Sequence, residues 1–356
     1  MPWDHRKYAT VIDPLRQSDL GNLASQYACS KRFAYEKNAE ADGLAVSRRF
    51  ASWKACVGTG VHETVKAYLT RAENRILRGE LPTAEAVLKI VRVEVEKAAE
   101  GLSIEWRDAK PEDELEDASL MVLGALRLVA RLASKVLLVE ASFRVDIHAP
   151  GDKATYAAMG TVDLVYVPKS NPDGIGLLDW KTGSERPERV ILDHGYQLGI
   201  YSLALAEGVF FPGEERETRI GQFPSEIGIA HLRDAVPYQK AGSKKATRIE
   251  DADFFGVALG ATVKYVAGDA RGPVLYPSRR SVNDMGRLRA SVHALVGTVR
   301  LGRFVEYLGD GCLKCAHATK CLAEGNELAK PERDALEDAL VGVDKKHLNV
   351  LSDFAA

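Results

Sequence analysis

Between Val136 and Lys181 three apolar, β-branched runs follow one another, and an acid interrupts each: Glu140, Asp163 and Asp179. Val136 to Ile147, Thr155 to Val167 and Gly176 to Lys181 read as successive strands, the last two joined by the polar turn from Pro168 to Gly174. Side chains two apart in a strand share a face, so Asp179 and Lys181 point the same way, and pairing of the hairpin brings Asp163 beside them. Strand-end turn acids and a solvated edge lysine would give the same letters. The cluster also suits a hard divalent ion, because Mg²⁺ and Mn²⁺ prefer oxygen ligands and keep several waters. Such an ion polarises a phosphate and lowers the pKa of a bound water, while a nearby ammonium steadies developing charge. On this reading the residues point to metal-dependent phosphodiester hydrolysis.

Two helical segments supply further groups. His62 stands in Gly58-Thr-Gly-Val-His62-Glu-Thr-Val, where Val61, Val65 and Leu69 repeat at helical spacing. Gln197 and Tyr201, four apart in a segment predicted helical from about 187 to 206, share one helix face, with Val190, Ile191, Leu198 and Leu205 as the apolar stripe. Gly195 and Gly199 are poor helix formers that would permit close packing against the sheet.

Taken in order, His62, Gly160-Thr-Val-Asp163, Asp179-Trp-Lys181-Thr-Gly183 and Gln197-Leu-Gly-Ile-Tyr201 resemble the sequential motifs of the RecB-like branch of the PD-(D/E)xK nuclease superfamily. That branch includes the AddB-type and CRISPR-associated exonucleases. The resemblance implies an α/β fold, a restriction endonuclease-like mixed sheet flanked by helices, and a DNA exonuclease acting on single-stranded ends. It implies that His62, Asp163, Asp179 and the backbone carbonyl of Trp180 bind Mg²⁺ or Mn²⁺. It further implies that Lys181 positions the attacking water and that Gln197 and Tyr201 shape the strand channel. Glu140 resembles the Glu that opens the preceding strand in these nucleases and takes a supporting role. An end-trimming endonuclease of a recombination or CRISPR-like integration system is the neighbouring reading. A catalytically silent nucleic-acid-binding module is the other, and intact His62, Asp163, Asp179 and Lys181 argue against it.

The cysteines form a second constellation. Cys312, Cys315 and Cys321 lie in a C-x₂-C-x₅-C segment, and three soft ligands so close in sequence usually converge on a metal or cluster. Zinc, held by these thiolates with Cys29 or with His317, is one occupant. The resemblance implies another: in the iron–sulfur subgroup one N-terminal cysteine joins three C-terminal ones around a [4Fe-4S] cluster, the layout of Cys29 with Cys312, Cys315 and Cys321. Such a cluster would tie the two ends of the chain together. Cys56, between Ala55 and Val57, reads as a small buried thiol.

Formal charge is only −2, so any nucleic-acid binding must come from local patches. Lys31-Arg32, Lys240 to Arg248, and Arg271 to Arg289 with Arg279, Arg280, Arg287 and Arg289 are the candidates, each weighed against a solvated face. The expected organisation is a helical region over 1–135 carrying Cys29 and His62, a nuclease core over 136–235, and a helical C-terminal region over 236–356 with the cysteine segment, together one unit. Within it a short helix is expected over 17–37, a strand at Glu226 to Leu232, and helices at about 250–267 and 281–301. Thr83 and the acidic run from Pro111 mark two helix starts in the first region. No run of eighteen apolar residues suggests a membrane span, and no secretory signal opens the chain, which with an odd cysteine total favours a reducing cytoplasm, or host cytoplasm for a virus-encoded protein. No P-loop sequence is present, so a helicase or recombination partner would supply any motor.

Overall fold

The computed structural model describes residues 15–16, 50–105, 111–148, 155–185, 195–212, 217–236, 273–278 and 280–300. The chain divides into two compact units, one of 12–21 and 46–296 and one of 1–11, 22–45 and 297–356. Apart from 297–300, the described residues belong to the first. Cys29, Cys312, Cys315, Cys321 and His317, the basic segments at 31–32 and 240–248, Arg271 and Arg279, and the helices expected over 17–37 and 250–267 lie outside the described residues. So do Val190 and Ile191, in the first part of the helix expected from about 187.

A short strand β1 (Leu15–Arg16) and β2 (Phe50–Ser52) precede helix α1 (Trp53–Leu77). The hydroxyl of Ser52 accepts from the Ala55 amide and starts α1, so the helix begins a turn before the His62 motif. Helix α2 (Ala84–Ala99) is capped by Thr83, as expected. Strand β3 (Ser103–Glu105) pairs with β2 in a small parallel sheet, and helix α3 (Pro111–Leu132) opens on Glu112, Asp113 and Glu114, which complement its positive end. Val57, Val61, Val65 and Leu69 of α1, Val87, Val91 and Val95 of α2, and Leu115, Val122 and Val129 of α3 are buried together. The helical period of these apolar positions makes three helices pack as one layer.

The main sheet begins with β4 (Ala133–His148), β5 (Thr155–Pro168) and β6 (Gly176–Lys181), the three runs legible in sequence. Helix α4 (Tyr196–Glu207) follows, then β7 (Val209–Phe211), β8 (Glu226–His231), β9 (Val274–Ser278) and helix α5 (Val282–Arg300). Among the described residues the sheet has seven strands in the order β7-β4-β5-β6-β8-β9, with β1 beside β5. β4, β5 and β6 are antiparallel neighbours, whereas β6 and β8 run parallel. This is the mixed sheet flanked by helices that the motif order implied.

Two features aim the strands. Leu164 pairs with Leu178 and the ladder between β5 and β6 ends there, so the strands part where Asp163 and Asp179 stand. Glu140, inside β4, has φ of 43°, the one non-glycine among the described residues with positive φ, an irregularity of the kind that re-aims a side chain. Leu164, Tyr166, Leu178 and Trp180 of the sheet join the α1–α3 core. Helix α4 is buried from Leu198 to Leu205, which explains its nearly uniform apolarity. Gly199 meets Leu288 of α5 rather than the sheet: a Cβ there would lie 2.8 Å from that leucine.

Candidate active site

Each acidic residue reaches the site for a local reason. Asp163 is followed by a buried β5 run, and its carboxylate accepts from the amide of Trp180 at 2.6 Å, filling the gap left where the ladder stops. α1 presents His62 beside it. The helix can approach because residue 58 is glycine, whose absent Cβ would stand 2.9 Å from the Thr182 hydroxyl just beyond β6. His62 Nδ1 lies 2.8 Å from Glu140 Oε1 and 3.9 Å from Asp163 Oδ1. Donor atoms of His62, Glu140 and Asp163 all lie within 4.8 Å of one another. Trans ligands of Mg²⁺ sit about 4.2 Å apart, so this spacing is close to what one hard cation requires.

Asp179 anchors an adjoining chain of polar groups. Its Oδ1 accepts from Gln197 Nε2 at 2.7 Å, and the same amide nitrogen donates to the Tyr201 hydroxyl at 3.1 Å. Lys181 Nζ donates to Gln197 Oε1 at 3.1 Å and lies 2.7 Å from Asp179 Oδ2. That oxygen is buried, and the ammonium is its one close polar neighbour among the described residues. A buried carboxylate oxygen with lone pairs to spare, beside three clustered ligand groups, fits a cation there. Tyr201 is itself fixed by an edge-on contact with Phe143, ring centroids 5.7 Å apart.

The electrostatics are those of acids crowded out of water. Burial, then the charge of Asp179, push the Asp163 carboxyl well above its usual range, with His62 only partly offsetting them. Burial works against charge on His62, but the Glu140 hydrogen bond and the surrounding carboxylates outweigh it and raise the imidazole to about 9. Burial likewise opposes charge on Lys181, and Asp179 overcomes it, so the amine is raised and stays an ammonium. Tyr201 is raised by burial and then by Asp179, and remains a neutral phenol. Any divalent ion would replace these protons as the neutralising charge.

Thus His62, Glu140, Asp163, Asp179, Lys181, Gln197 and Tyr201 form one continuous set of neighbours. Glu140 contacts the His62 imidazole and lies within the same cluster of possible ligand atoms, while Asp179 is held by Lys181 and Gln197. Glu140 is legible in sequence only as an acid in an apolar run, and its turned backbone is not. The basic stretch near α5 also reads differently. Arg280 donates to the carbonyl of Gly195 at 3.0 Å and Arg289 pairs with Glu207, so both hold α4, while Arg287 is exposed. Cys56 is the buried thiol expected, its Sγ 3.7 Å from the carbonyl of Ala98. Among the described residues no helix is long and apolar enough to cross a membrane.

The family model described as PD-(D/E)XK nuclease superfamily matches residues 21–322. No curated protein matches the chain.

Proposed function

Because the chain belongs to the PD-(D/E)XK nuclease superfamily, we propose that it is a Mg²⁺- or Mn²⁺-dependent DNA exonuclease that hydrolyses phosphodiester bonds from single-stranded ends. The observation that supports this best is the convergence of His62, Glu140 and Asp163 beside the Asp179, Lys181 and Gln197 network. His62, Glu140, Asp163 and Asp179, with the backbone carbonyl of Trp180 in the inner sphere, would hold the cation. When bound, it supplies Lewis acidity at the scissile phosphate and offsets charge that builds there.

The chain's own groups do the rest. Lys181, 2.7 Å from Asp179 Oδ2 and donating to Gln197 Oε1, would orient the attacking water and steady the phosphoryl oxygens. Gln197 fixes that ammonium and the Asp179 carboxylate in one plane of contacts. The Tyr201 hydroxyl locks the Gln197 amide in the orientation this needs. We further propose that Cys29, Cys312, Cys315 and Cys321 hold a structural [4Fe-4S] cluster, a reading that rests on the resemblance of their layout to the iron–sulfur subgroup, and that the enzyme serves DNA recombination, repair or replication in a reducing cytoplasm beside a separate helicase.

The test is degradation of linear against circular single-stranded DNA with Mg²⁺ or Mn²⁺, for the wild type and Asp179→Ala. Loss of linear DNA alone, abolished in the variant and by EDTA, is the expected result. Cleavage of circles would make it an endonuclease, and activity surviving in Asp179→Ala would remove the proposed site. Anaerobic protein should absorb near roughly 400 nm and lose that band in Cys315→Ser; a colourless zinc protein would remove the cluster and leave the nuclease reading intact.

A further inference from the structure

Beyond the acids, the same strands continue into solvent. Asp163, Thr161 and Met159 alternate with Val162 and Gly160 along β5 and therefore share a side of that strand. Ser142 pairs with Thr161 and Arg144 with Met159, and across β4 Ser142 also pairs with Phe211 of β7. Paired residues of antiparallel strands point the same way, so these five side chains form one ledge that begins two residues from Asp163. The opposite side is filled by Phe143 against Phe210, 5.9 Å between rings, which turns Phe211 outward.

This ledge is open although half of it is apolar. Phe211 is 39% and Met159 38% exposed, and with Val93 and Phe223 elsewhere they are the exposed large hydrophobic side chains among the described residues. Arg144 extends from the same place, only loosely paired with Asp146 at 3.6 Å. An exposed ring, a thioether, two hydroxyls and a guanidinium in a row match what single-stranded nucleic acid offers: base faces, sugars and phosphates. Strand spacing puts Phe211 about 12 Å from Asp163, within a few nucleotides of a phosphate held at the acids.

We propose that Phe211, Ser142, Thr161, Met159 and Arg144 form the track along which single-stranded DNA reaches the acidic site, with Phe211 as a platform on which one base stacks. The inference rests on the nuclease reading above and adds the place and manner in which the strand is held. A base-stacking site is tested by removing the base. Cleavage of oligonucleotides carrying one abasic nucleotide, moved stepwise from the scissile bond, is measured as kcat/KM for wild type, Phe211→Ala and Phe211→Trp. One abasic position should cost the wild type roughly fivefold or more, cost Phe211→Trp the same, and cost Phe211→Ala almost nothing further. Arg144→Gln should flatten the salt dependence of kcat/KM by about one phosphate contact. Thermal melts of each variant separate loss of fold from loss of the platform, since Phe211 is 39% exposed. An abasic penalty as large in Phe211→Ala as in the wild type, or none at any position, overturns the track while leaving the nuclease reading standing. A wild type that degrades no DNA overturns both.

Discussion

Gln197 touches both the acid and the amine of the site. Gln197→Ala leaves the buried Asp179 Oδ1 short of a partner, whereas Lys181, 39% exposed, can turn to water; the lost contact should cost about 1–3 kcal/mol of stability and lower cleavage more than binding, and urea melts and steady-state kinetics read the two effects. Protons give a second handle on single residues. His62 is raised from 6.5 to about 9 without a bound cation, so its charge contributes stability that is fully present below about 6.5 and is lost as pH rises through about 9. A ligating imidazole must be neutral. Mg²⁺ or Mn²⁺ binding near pH 7.5 should therefore release a proton and tighten as pH rises toward 9, which calorimetry in buffers of different ionisation enthalpy detects; uptake of protons, or none exchanged, would count against His62 as a ligand. Glu140→Ala removes the carboxylate 2.8 Å from the His62 imidazole and should weaken metal binding about 10–100-fold, the cost of losing a group that orients a ligand; an unchanged constant would remove Glu140 from the metal site. Strand alternation made Asp163, Asp179 and Lys181 legible in sequence, while His62, Gln197 and Tyr201 were legible as site residues through the resemblance of the motif order. Sequence alone left Glu140 as a support, because a positive φ at a non-glycine residue has no sequence signature.

At the scale of elements, periodicity carried the fold and its failures have physical causes. The three strands were legible from alternation and turn residues, and the hairpin between β5 and β6 follows from the same letters. The start of α1 is not legible from the apolar repeat of Val61, Val65 and Leu69, because its cap Ser52 precedes that repeat by several residues. Gly199 was read as a contact to the sheet, but α4 is covered on its other side by α5, and no local pattern tells which neighbour a buried helix meets. Arg280 and Arg289 looked like a nucleic-acid patch for the same reason: charge is visible in sequence, and the carbonyl or carboxylate that consumes it is not. A Cβ on Gly60 would lie 2.3 Å from Val95 Cγ2 and 3.0 Å from the Val95 amide nitrogen, so α1 and α2 touch backbone to backbone. Gly60→Ala should cost about 1–3 kcal/mol through overpacking, despite the helix propensity it gains, and it should loosen the seat of His62 two residues on. Denaturant unfolding checks the first effect and metal titration the second.

For the molecule as a whole, the site and the fold pull in opposite directions. Glu140, Asp163 and Asp179 are drawn together where the strands part, and among the described residues the cationic groups that face them are His62 and Lys181. Asp163 bears the strain most visibly, since burial and the Asp179 charge both favour its protonated form. Asp163→Asn removes the charge yet keeps an oxygen able to accept from the Trp180 amide. In EDTA near neutral pH the variant should therefore unfold no more easily than the wild type, and gain on the order of 1 kcal/mol. Adding Mg²⁺ or Mn²⁺ at about a hundred times its dissociation constant should stabilise the wild type by roughly 2.7 kcal/mol and leave Asp163→Asn unmoved. The crossover is the informative result: the wild type is the weaker fold without metal and the stronger one with it. A variant destabilised in EDTA would show that the carboxylate serves the scaffold, and one that still responds to metal would place the ion elsewhere.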